Sequence, residues 1–208
     1  MTAIKDIMHT SPVIPVMVIN SIEHAVPLAK TLVEGGLRVL EITLRTPIAL
    51  EAIRHIKQNV PDAIVGAGTV INTETWHQAV DAGSQFIVSP GVTDELLATA
   101  LNSTTPILPG VATPSEVMKL LENGITEMKF FPAEAAGGIP MLKSFGGPLP
   151  QVAFCPTGGV SPKNAADYLA LKNVACVGGS WMAPAELVDQ QNWEEIYRLT
   201  VEACKLAQ

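Results

Sequence analysis

The chain has 208 residues, of which 48% are hydrophobic and 16% are charged, and its formal net charge is −7. This length is enough to bury one sizeable core and too short to favour two ordinary domains, so we expect a single domain over residues 1–208. The acidic balance argues against nucleic acid as a partner, because no basic stripe is present to neutralise phosphates.

The cellular setting is indicated by what the sequence lacks. Three cysteines occur, an odd number at spacings that match no metal or redox motif, so we expect no disulfide framework. No apolar run approaches the roughly 18 residues that span a bilayer, and the first residues lack a signal-peptide pattern. We therefore expect a soluble, cytoplasmic protein that does not interact with membranes.

Short β-branched or apolar runs alternate along the chain with segments of helical spacing, after a short helix expected near the N-terminus. Typical signals frame the helices: Ser21 is an N-cap candidate, Gly35 and Gly36 end the helix that follows it, and Pro47 stands in a first turn. In chain order, the predicted strands are 13–19, 37–44, 63–65, 85–88, 105–108, 127–131, 152–155 and 174–177. The predicted helices are 21–34, 46–59, 73–82, 93–103, 114–123, 140–146, 164–170 and 193–207.

The repeated order of strand and helix indicates the fold class. Eight strands that alternate with helices predict a parallel α/β sheet and fit a closed (β/α)₈ barrel, the TIM barrel. A doubly wound open sheet is the competing architecture. In a barrel, catalytic residues lie at the carboxyl ends of the strands, so polar residues at those ends are the first candidates for a functional site.

Lys129 is the most informative of these residues, because it lies within an apolar predicted strand, in the sequence MKFFP of residues 128–132. Burial disfavours an ammonium group, so a lysine on an inward-facing position must be paired or neutral. A neutral amine is what Schiff-base formation with a ketone requires. The alternative is a structural lysine that is neutralised by Glu127, which shares its face of the strand. The strand alone leaves both interpretations open.

Glu41, Thr43 and Arg45 follow one another at a spacing of two residues and therefore share one face at the end of a predicted strand. A carboxylate and a guanidinium there form either a structural ion pair or a proton-transfer group beside a clamp for a substrate carboxylate. Together with Lys129 on another strand, the second interpretation is favoured. Thr69 follows a strand in the same way, and its hydroxyl would bind either a carboxylate oxygen or its own backbone.

Two Gly-Gly pairs are predicted to follow the last two strands. Gly158 and Gly159 belong to the first pair, and Gly179 of the second pair precedes Ser180. Glycine allows backbone N–H groups to approach an anion closely, and barrels commonly bind phosphate after strands 7 and 8. One such pair alone often serves as a turn, but two pairs at these two positions predict a phosphate site.

The motifs occur in a fixed order along nearly the whole chain: LEITLRT at 40–46, VGAGTV at 65–70, SPG at 89–91, KFFPAE at 129–134, PTGG at 156–159 and GGSW at 178–181. This ordered set closely resembles the bacterial 2-keto-3-deoxy-6-phosphogluconate (KDPG) aldolase family, also named 4-hydroxy-2-oxoglutarate (KHG) aldolase.

The resemblance implies a class I aldolase, without metal or cofactor, that acts on a 2-keto-3-deoxy sugar acid phosphate and yields pyruvate and glyceraldehyde 3-phosphate. It further implies KHG cleavage to pyruvate and glyoxylate, and a homotrimeric assembly. Lys129 matches the family's Schiff-base lysine, and Glu41 matches its general acid/base. The positions that match the family's substrate contacts are Arg45 and Thr69 for the pyruvyl carboxylate, Gly158, Gly159, Gly179 and Ser180 for the phosphate, and Pro90, Phe131 and Thr157 for the pocket wall.

Two other functions remain open at this stage. A phosphosugar isomerase or epimerase barrel would use the phosphate loops and the carboxylate but would need no imine. A catalytically silent sugar-phosphate binding protein would be favoured if Lys129 were held in an ion pair with Glu127.

Overall fold

The computed structural model describes residues 3–207, in which parallel strands alternate with helices. Residues 1, 2 and 208, the ends of the domain expected from the sequence, lie outside the described residues. The strands are β1 Val13–Met17, β2 Val39–Thr43, β3 Ile64–Gly68, β4 Ile87–Val88, β5 Ile107–Leu108, β6 Gly110–Val111, β7 Glu127–Phe130, β8 Ala153–Pro156 and β9 Val177–Gly179. The helices are α1 Ile4–Met8, α2 Ile22–Glu34, α3 Ala49–Asn59, α4 Thr73–Asp81, α5 Asp94–Leu101, α6 Pro114–Glu122, α7 Gly138–Phe145, α8 Ala165–Leu169, α9 Ala185–Asp189 and α10 Trp193–Cys204, followed by a 3₁₀ turn Lys205–Ala207.

The strands form an α/β fold with a curved parallel sheet. Six strands pair in the order β5-β4-β3-β2-β1-β9, and three more pair in the order β6-β7-β8. Between β8 and β9 there are two isolated parallel bridges, Phe154 with Val174 and Thr157 with Gly178. The curvature brings the carboxyl ends of strands from both sheets to one end of the molecule.

Pro109 explains why nine strands are observed where the sequence predicts eight. It stands alone between β5 and β6, and proline has no N–H group to donate to a sheet ladder. Its carbonyl still accepts from the Lys129 N–H at 2.8 Å, which ties this position to β7. The predicted strand covers only the part before this proline, residues 105–108, and β6 was not predicted.

Glycines shift two further boundaries. The strand predicted at 63–65 continues to Gly68, and the one predicted at 174–177 is observed at Val177–Gly179, so Gly179 lies in the strand and not in the turn after it. Glycine has a low β-propensity, and a pattern of apolar residues therefore ends too early at both places. At Gly68 and at Gly179, a Cβ atom would nevertheless collide with a neighbouring side chain.

Two helix starts carry capping boxes, whereas the predicted cap Ser21 occupies the N-cap position of α2 without a side-chain capping hydrogen bond. The Thr113 hydroxyl accepts from the Glu116 N–H, the Glu116 carboxylate accepts from the Thr113 N–H, and Pro114 occupies the first turn of α6. The Asn72 side chain caps α4 in the same way. Three segments differ from the prediction. Helix α3 starts at Ala49, so Pro47 precedes it and does not lie in its first turn. Helix α7 starts at Gly138, two residues before the predicted start, and α9 was not predicted.

The core has two parts. The larger one packs the outer faces of the strands against the helices, with Ile42, Trp76 and Phe130 fully buried. The smaller one fills the space enclosed by the strands near their amino ends with these apolar side chains: Ile7, Met8, Ile14, Val39, Phe86, Val88, Leu108, Cys155 and Cys176. Since Ile7 and Met8 belong to α1, this short helix covers the amino end of the enclosed space, and the opposite end carries the polar side chains.

The enclosed core predicts a strong effect of one added methyl group. A Cβ atom on Gly66 would lie 2.5 Å from the buried Phe86 ring, whereas nothing lies within 4 Å of the same position on Gly147. We expect Gly66→Ala to lower the free energy of unfolding by about 1–3 kcal/mol, and Gly147→Ala to change it by less than about 0.5 kcal/mol. Urea denaturation of both variants measures this, and equal midpoints would contradict the tight packing of Phe86 on β3.

Candidate active site

Lys129 lies in the middle of β7, and its side chain points into the space enclosed by the strands. The residue is only 5% exposed, and it pairs in register with Gly110 on one side and Cys155 on the other. The inward, buried position predicted from the sequence is therefore confirmed. A buried ammonium or amine needs a polar partner, so its neighbours decide what it can do.

The partner is Glu41 of β2. Nζ of Lys129 donates to Oε1 of Glu41 at 3.3 Å, and the glutamate is 3% exposed. The two residues are 88 positions apart, and their strands are not neighbours in the sheet. They meet across the enclosed space, which requires the curvature of the sheet.

Glu127, the alternative partner considered from the sequence, does not pair with Lys129. Its Oε2 accepts from the Thr126 hydroxyl at 2.9 Å, and the ion pair of Lys129 is with Glu41. Of the two interpretations left open by the sequence, the one that pairs Lys129 with Glu127 is therefore not observed. Spacing along one strand cannot foresee a partner that the fold brings from another strand.

Phe131 and Pro90 lie next to this pair. Nζ of Lys129 is 5.3 Å from the centroid of the Phe131 ring, within the range of a cation–π contact. A Cβ atom on Gly110, the register partner of Lys129, would lie 2.2 Å from the carbonyl oxygen of Pro90, so the backbone after β4 passes closely over β6. Of the three residues predicted to line the pocket, Phe131 thus contacts the lysine and Pro90 lies against its register partner Gly110.

Gly68 makes room for the Glu41 carboxylate. A Cβ atom at this position would lie 2.1 Å from Oε1 of Glu41, so only glycine is compatible with the observed carboxylate. The predicted strand 63–65 ends before Gly68, so this contact was not foreseen from the sequence. The signal was present: Gly66 and Gly68 alternate at the spacing of two that marks one face of a strand.

Thr69 and Arg45 stand directly beyond these strand ends. Nε of Arg45 donates to the Thr69 hydroxyl at 3.3 Å, and Leu44 N–H donates to the Gly68 carbonyl at 2.8 Å. Thr69 has a φ of 62°, a conformation that is rare for a β-branched residue and that is found most often at functional sites. The predicted pair Arg45 and Thr69 is thus brought together beside Glu41. Thr43 is not part of this group, because its hydroxyl is buried and donates to the Met17 carbonyl.

The two glycine pairs also come together. Thr157 and Gly178 form a parallel bridge, and a Cβ atom on Gly178 would lie 2.3 Å from the Thr157 hydroxyl oxygen. Gly158 and Gly159 follow with φ of 98° and 82°, which favour glycine. The position of a Gly158 Cβ atom is 3.4 Å from the Phe131 ring, so this loop borders the aromatic ring beside Lys129.

Ser180 completes the end of the second pair. It is exposed directly after β9, and the Trp181 ring packs over Gly179, where a Cβ atom would lie 1.9 Å from a ring carbon. Within residues 3–207, the backbone N–H groups of Gly159 and Ser180 donate to no carbonyl or side-chain oxygen. Such N–H groups in a glycine loop suit an anion.

Other surfaces do not compete as sites for this chemistry. A cavity of about 600 Å³ lies along α10, but Arg198 there is already paired with Glu195 and Glu202, and the cavity contains neither Lys129 nor Glu41.

In the described part of the chain, no three histidine, cysteine or carboxylate side chains are grouped to hold a metal ion. No helix between residues 3 and 207 is both long and apolar enough to cross a membrane.

The site therefore combines a buried lysine, a carboxylate, an arginine and a glycine loop at the carboxyl ends of parallel strands. This combination defines a candidate site for an anionic carbonyl compound.

Known proteins identify the family. The family model described as KDPG and KHG aldolase matches residues 4–199. The KHG/KDPG aldolase of Escherichia coli (strain K12) is 52% identical over 202 residues, which are 97% of this chain and 95% of that protein. The 2-dehydro-3-deoxy-phosphogluconate aldolase of Dickeya dadantii (strain 3937) is 54% identical over 202 residues, with the same two shares of 97% and 95%.

Solved structures agree with these relatives. The KDPG aldolase from Legionella pneumophila, determined with pyruvate captured at low pH as a covalent carbinolamine intermediate, superposes with a TM-score of 0.96 at 50% identity, over 98% of this chain and 99% of that chain. The chain belongs to the KDPG and KHG aldolase family, a family of lyases.

The close contact between Gly68 and Glu41 predicts that Gly68→Ala moves the carboxylate away from Lys129. We expect turnover of KDPG to fall by about 10²-fold or more, because proton transfer by a side chain depends on hydrogen-bond distance. Steady-state kinetics measure this, and circular dichroism checks the fold. Gly91→Ala is the matched control, since nothing lies within 4 Å of its Cβ position. Unchanged turnover in Gly68→Ala would contradict the importance of the observed carboxylate position.

Proposed function

We propose that this protein is a class I aldolase that cleaves KDPG to pyruvate and glyceraldehyde 3-phosphate through a Schiff base on Lys129, without a metal ion. The observation that carries the proposal is the contact between Nζ of Lys129 and Oε1 of Glu41, both buried, at 3.3 Å. A nucleophilic amine beside a carboxylate that exchanges its proton is the arrangement that imine chemistry needs. Membership of the aldolase family and the carbinolamine captured in the Legionella pneumophila relative support it.

The first half of the reaction forms the imine. Glu41 accepts a proton from Lys129, and the neutral amine attacks the ketone carbon to give a carbinolamine. Glu41 then returns a proton to the carbinolamine oxygen, which leaves as water, and a protonated imine remains. The distance of 3.3 Å lies close to hydrogen-bond reach and allows both transfers by the same carboxylate.

The second half breaks the carbon–carbon bond. Glu41 takes the proton from the hydroxyl on carbon 4, the bond between carbons 3 and 4 breaks, and its electron pair moves into the protonated imine. Glyceraldehyde 3-phosphate leaves, and an enamine of pyruvate remains on Lys129. Protonation at carbon 3 and hydrolysis by water release pyruvate and restore the amine.

The order of groups in the site supports a substrate with a carboxylate at one end and a phosphate at the other. Arg45 and Thr69 would bind the pyruvyl carboxylate, because a guanidinium and a hydroxyl beside Glu41 match its charge and its acceptors. The phosphate would lie against the backbone N–H groups at the far side of the Phe131 ring, and Pro90 and Thr157 would complete the wall. The residues proposed for the phosphate are Gly158, Gly159, Gly179 and Ser180.

The same pyruvyl half would accept 4-hydroxy-2-oxoglutarate and release glyoxylate, since the carboxylate clamp and the imine are shared. The isomerase and the silent binding protein are not favoured. The family and its named relatives are aldolases, and the pairing of Lys129 with Glu127 that a silent site would use is replaced by the pairing with Glu41.

We further propose that the strands close into a complete (β/α)₈ barrel that forms a single domain. Strands β5 and β6, separated by Pro109 alone, would count as one strand, and the two isolated bridges would join β8 to β9. The contact of Lys129 with Glu41 across the interior supports closure, because an open, flat sheet would hold β2 and β7 far apart.

The assembly and the compartment are proposals as well. Large apolar side chains are exposed at Ile71, Leu101 and Met118, and such residues support a self-associated homotrimer. The cysteines Cys155, Cys176 and Cys204 are unpaired, which supports the reducing cytoplasm.

The imine is tested by incubation with pyruvate and borohydride, followed by mass spectrometry of the peptides. We expect a reduced pyruvyl adduct on Lys129, because only a primary amine at the ketone carbon forms a reducible imine. Lys129→Arg keeps a positive charge beside Glu41 but has no such amine, and it should give no adduct and no cleavage. Lys143→Arg, an exposed position on α7, should behave like the parent protein. A folded protein without an adduct would overturn the proposed function.

The role of Glu41 predicts a separate kinetic effect. Glu41→Gln keeps the size of the side chain and removes the proton-transfer group, so we expect kcat for KDPG to fall by about 10² to 10⁴ while KM changes little. Glu127→Gln is the matched control, because Glu127 bonds to Thr126 and not to Lys129. If both variants turned over equally fast, Glu41 would not be the acid/base group.

A further inference from the structure

The connection between β7 and α7 packs on the Gly158–Gly159 loop through direct hydrogen bonds. Ala133 N–H donates to the Thr157 carbonyl at 2.8 Å, and Glu134 N–H donates to the Gly158 carbonyl at 3.0 Å. The strand that carries Lys129 therefore leads, within five residues, into contacts with the loop proposed to bind phosphate.

The Glu134 side chain extends this contact. A Cβ atom on Gly159 would lie 2.5 Å from Cγ of Glu134, so the stem of the glutamate lies flat against the glycine. The carboxylate continues to Gly138 at the start of α7, where Oε1 lies 3.3 Å from the position of a Cβ atom. The exposed glutamate thus touches the loop with its stem, while its Oε1 lies at Gly138.

Tyr168 of α8 holds the carboxylate in that place. Its hydroxyl donates to Oε1 of Glu134, and its side chain is fully buried. Burial raises the pKa of Tyr168, and the hydrogen bond and the charge of Glu134 raise it further, so the hydroxyl stays a donor at neutral pH. The proton of this hydrogen bond is therefore retained over the working range of an enzyme.

Asn164 makes a third contact with the Gly158–Gly159 loop. The Asn164 side chain donates through Nδ2 to the Gly159 carbonyl at 3.1 Å and accepts through Oδ1 from Ser161 N–H at 2.8 Å. Asn164 directly precedes α8, the helix that carries Tyr168. The loop is thus bonded both to the β7–α7 connection and to the start of α8.

These bonds determine where the loop N–H groups point. In a planar trans peptide, the C=O of one residue and the N–H of the next point in opposite directions. Because the Gly158 carbonyl is directed to Glu134, the Gly159 N–H is directed away from Glu134, and it has no acceptor among the described residues. The contacts of Glu134 thereby set the direction of a donor group proposed for phosphate.

The tether on the carboxylate has a second effect. Glu134 lies next to a loop of free N–H groups, and an untethered carboxylate would itself be an anion within reach of those donors. The Tyr168 hydroxyl keeps it at Gly138 instead. Loss of the hydroxyl would leave the carboxylate free to compete with a phosphate group.

We propose that Glu134 and Tyr168 are positioning residues that make the site selective for a phosphorylated substrate, by orienting the Gly158–Gly159 loop and by holding the Glu134 carboxylate away from it. This inference rests on the proposed function, because it assigns the phosphate of KDPG to that loop. It places no requirement on the unphosphorylated substrate KHG.

The test compares the two substrates in Tyr168→Phe. We expect KM for KDPG to rise about tenfold, because the released Glu134 carboxylate competes with the substrate phosphate, while kcat changes by less than about twofold. Both constants for KHG should stay as in the parent protein. The inhibition constant of inorganic phosphate should rise in parallel with KM for KDPG, since phosphate probes the same loop.

Two further variants separate positioning from general damage. The chain has only two tyrosines, and Tyr197→Phe removes the other hydroxyl, which lies exposed on α10, so it should leave all constants unchanged. Glu134→Gln keeps an acceptor for Tyr168 and removes the competing charge, and KM for KDPG should stay within about twofold of the parent value. In the double variant Tyr168→Phe with Glu134→Gln, KM should fall back towards that value.

Each result decides the matter. An equal loss on KDPG and KHG in Tyr168→Phe, or an unchanged KM for KDPG, would overturn the positioning role while parent turnover and pyruvate trapping on Lys129 still support the proposed function. A parent protein that neither cleaves KDPG nor traps pyruvate would overturn both.

Discussion

Lys129 and Glu41, two buried ionisable residues on strands that do not pair, meet across the space enclosed by the strands. Each residue alone would be a buried ionisable group with a large desolvation cost, and each offsets that cost for the other. Because they stand on β2 and β7, which do not pair, the strands must curve until the two side chains meet. The curvature of the sheet therefore brings together the two groups of the site.

Small residues make this meeting possible. Gly68 leaves the volume that the Glu41 carboxylate occupies, and Gly110 lets the Pro90 backbone pass next to the strand of Lys129. At the other end of the enclosed space, Phe86 and the α1 side chains fill the volume completely. The interior is therefore divided along its axis into a packed apolar half that supports the fold and a polar half that is available for a substrate.

The candidate site is extended, with a different chemical function at each part. Arg45 and Thr69 lie at one side of the buried pair, and the Phe131 ring separates the pair from the Gly158–Gly159 loop. A molecule that binds along this line would place a carboxylate, a ketone and a distant anion in that order. The relatives that share about half of this sequence bear the names of KHG/KDPG and 2-dehydro-3-deoxy-phosphogluconate aldolases.

Local periodicity was sufficient to predict the alternation of strands and helices and the inward position of Lys129, whereas the caps at Asn72 and Thr113 were recognised only in the structure. The ordered motifs of the sequence also identified the family. Only the tertiary structure decided that Glu41 and not Glu127 is the partner of the lysine, since a contact over 88 residues leaves no trace in the spacing of one strand. The strand positions of Gly68 and Gly179 and the hydrogen bond between Tyr168 and Glu134 also required the tertiary structure. Each of them depends on contacts with residues that are distant in the sequence.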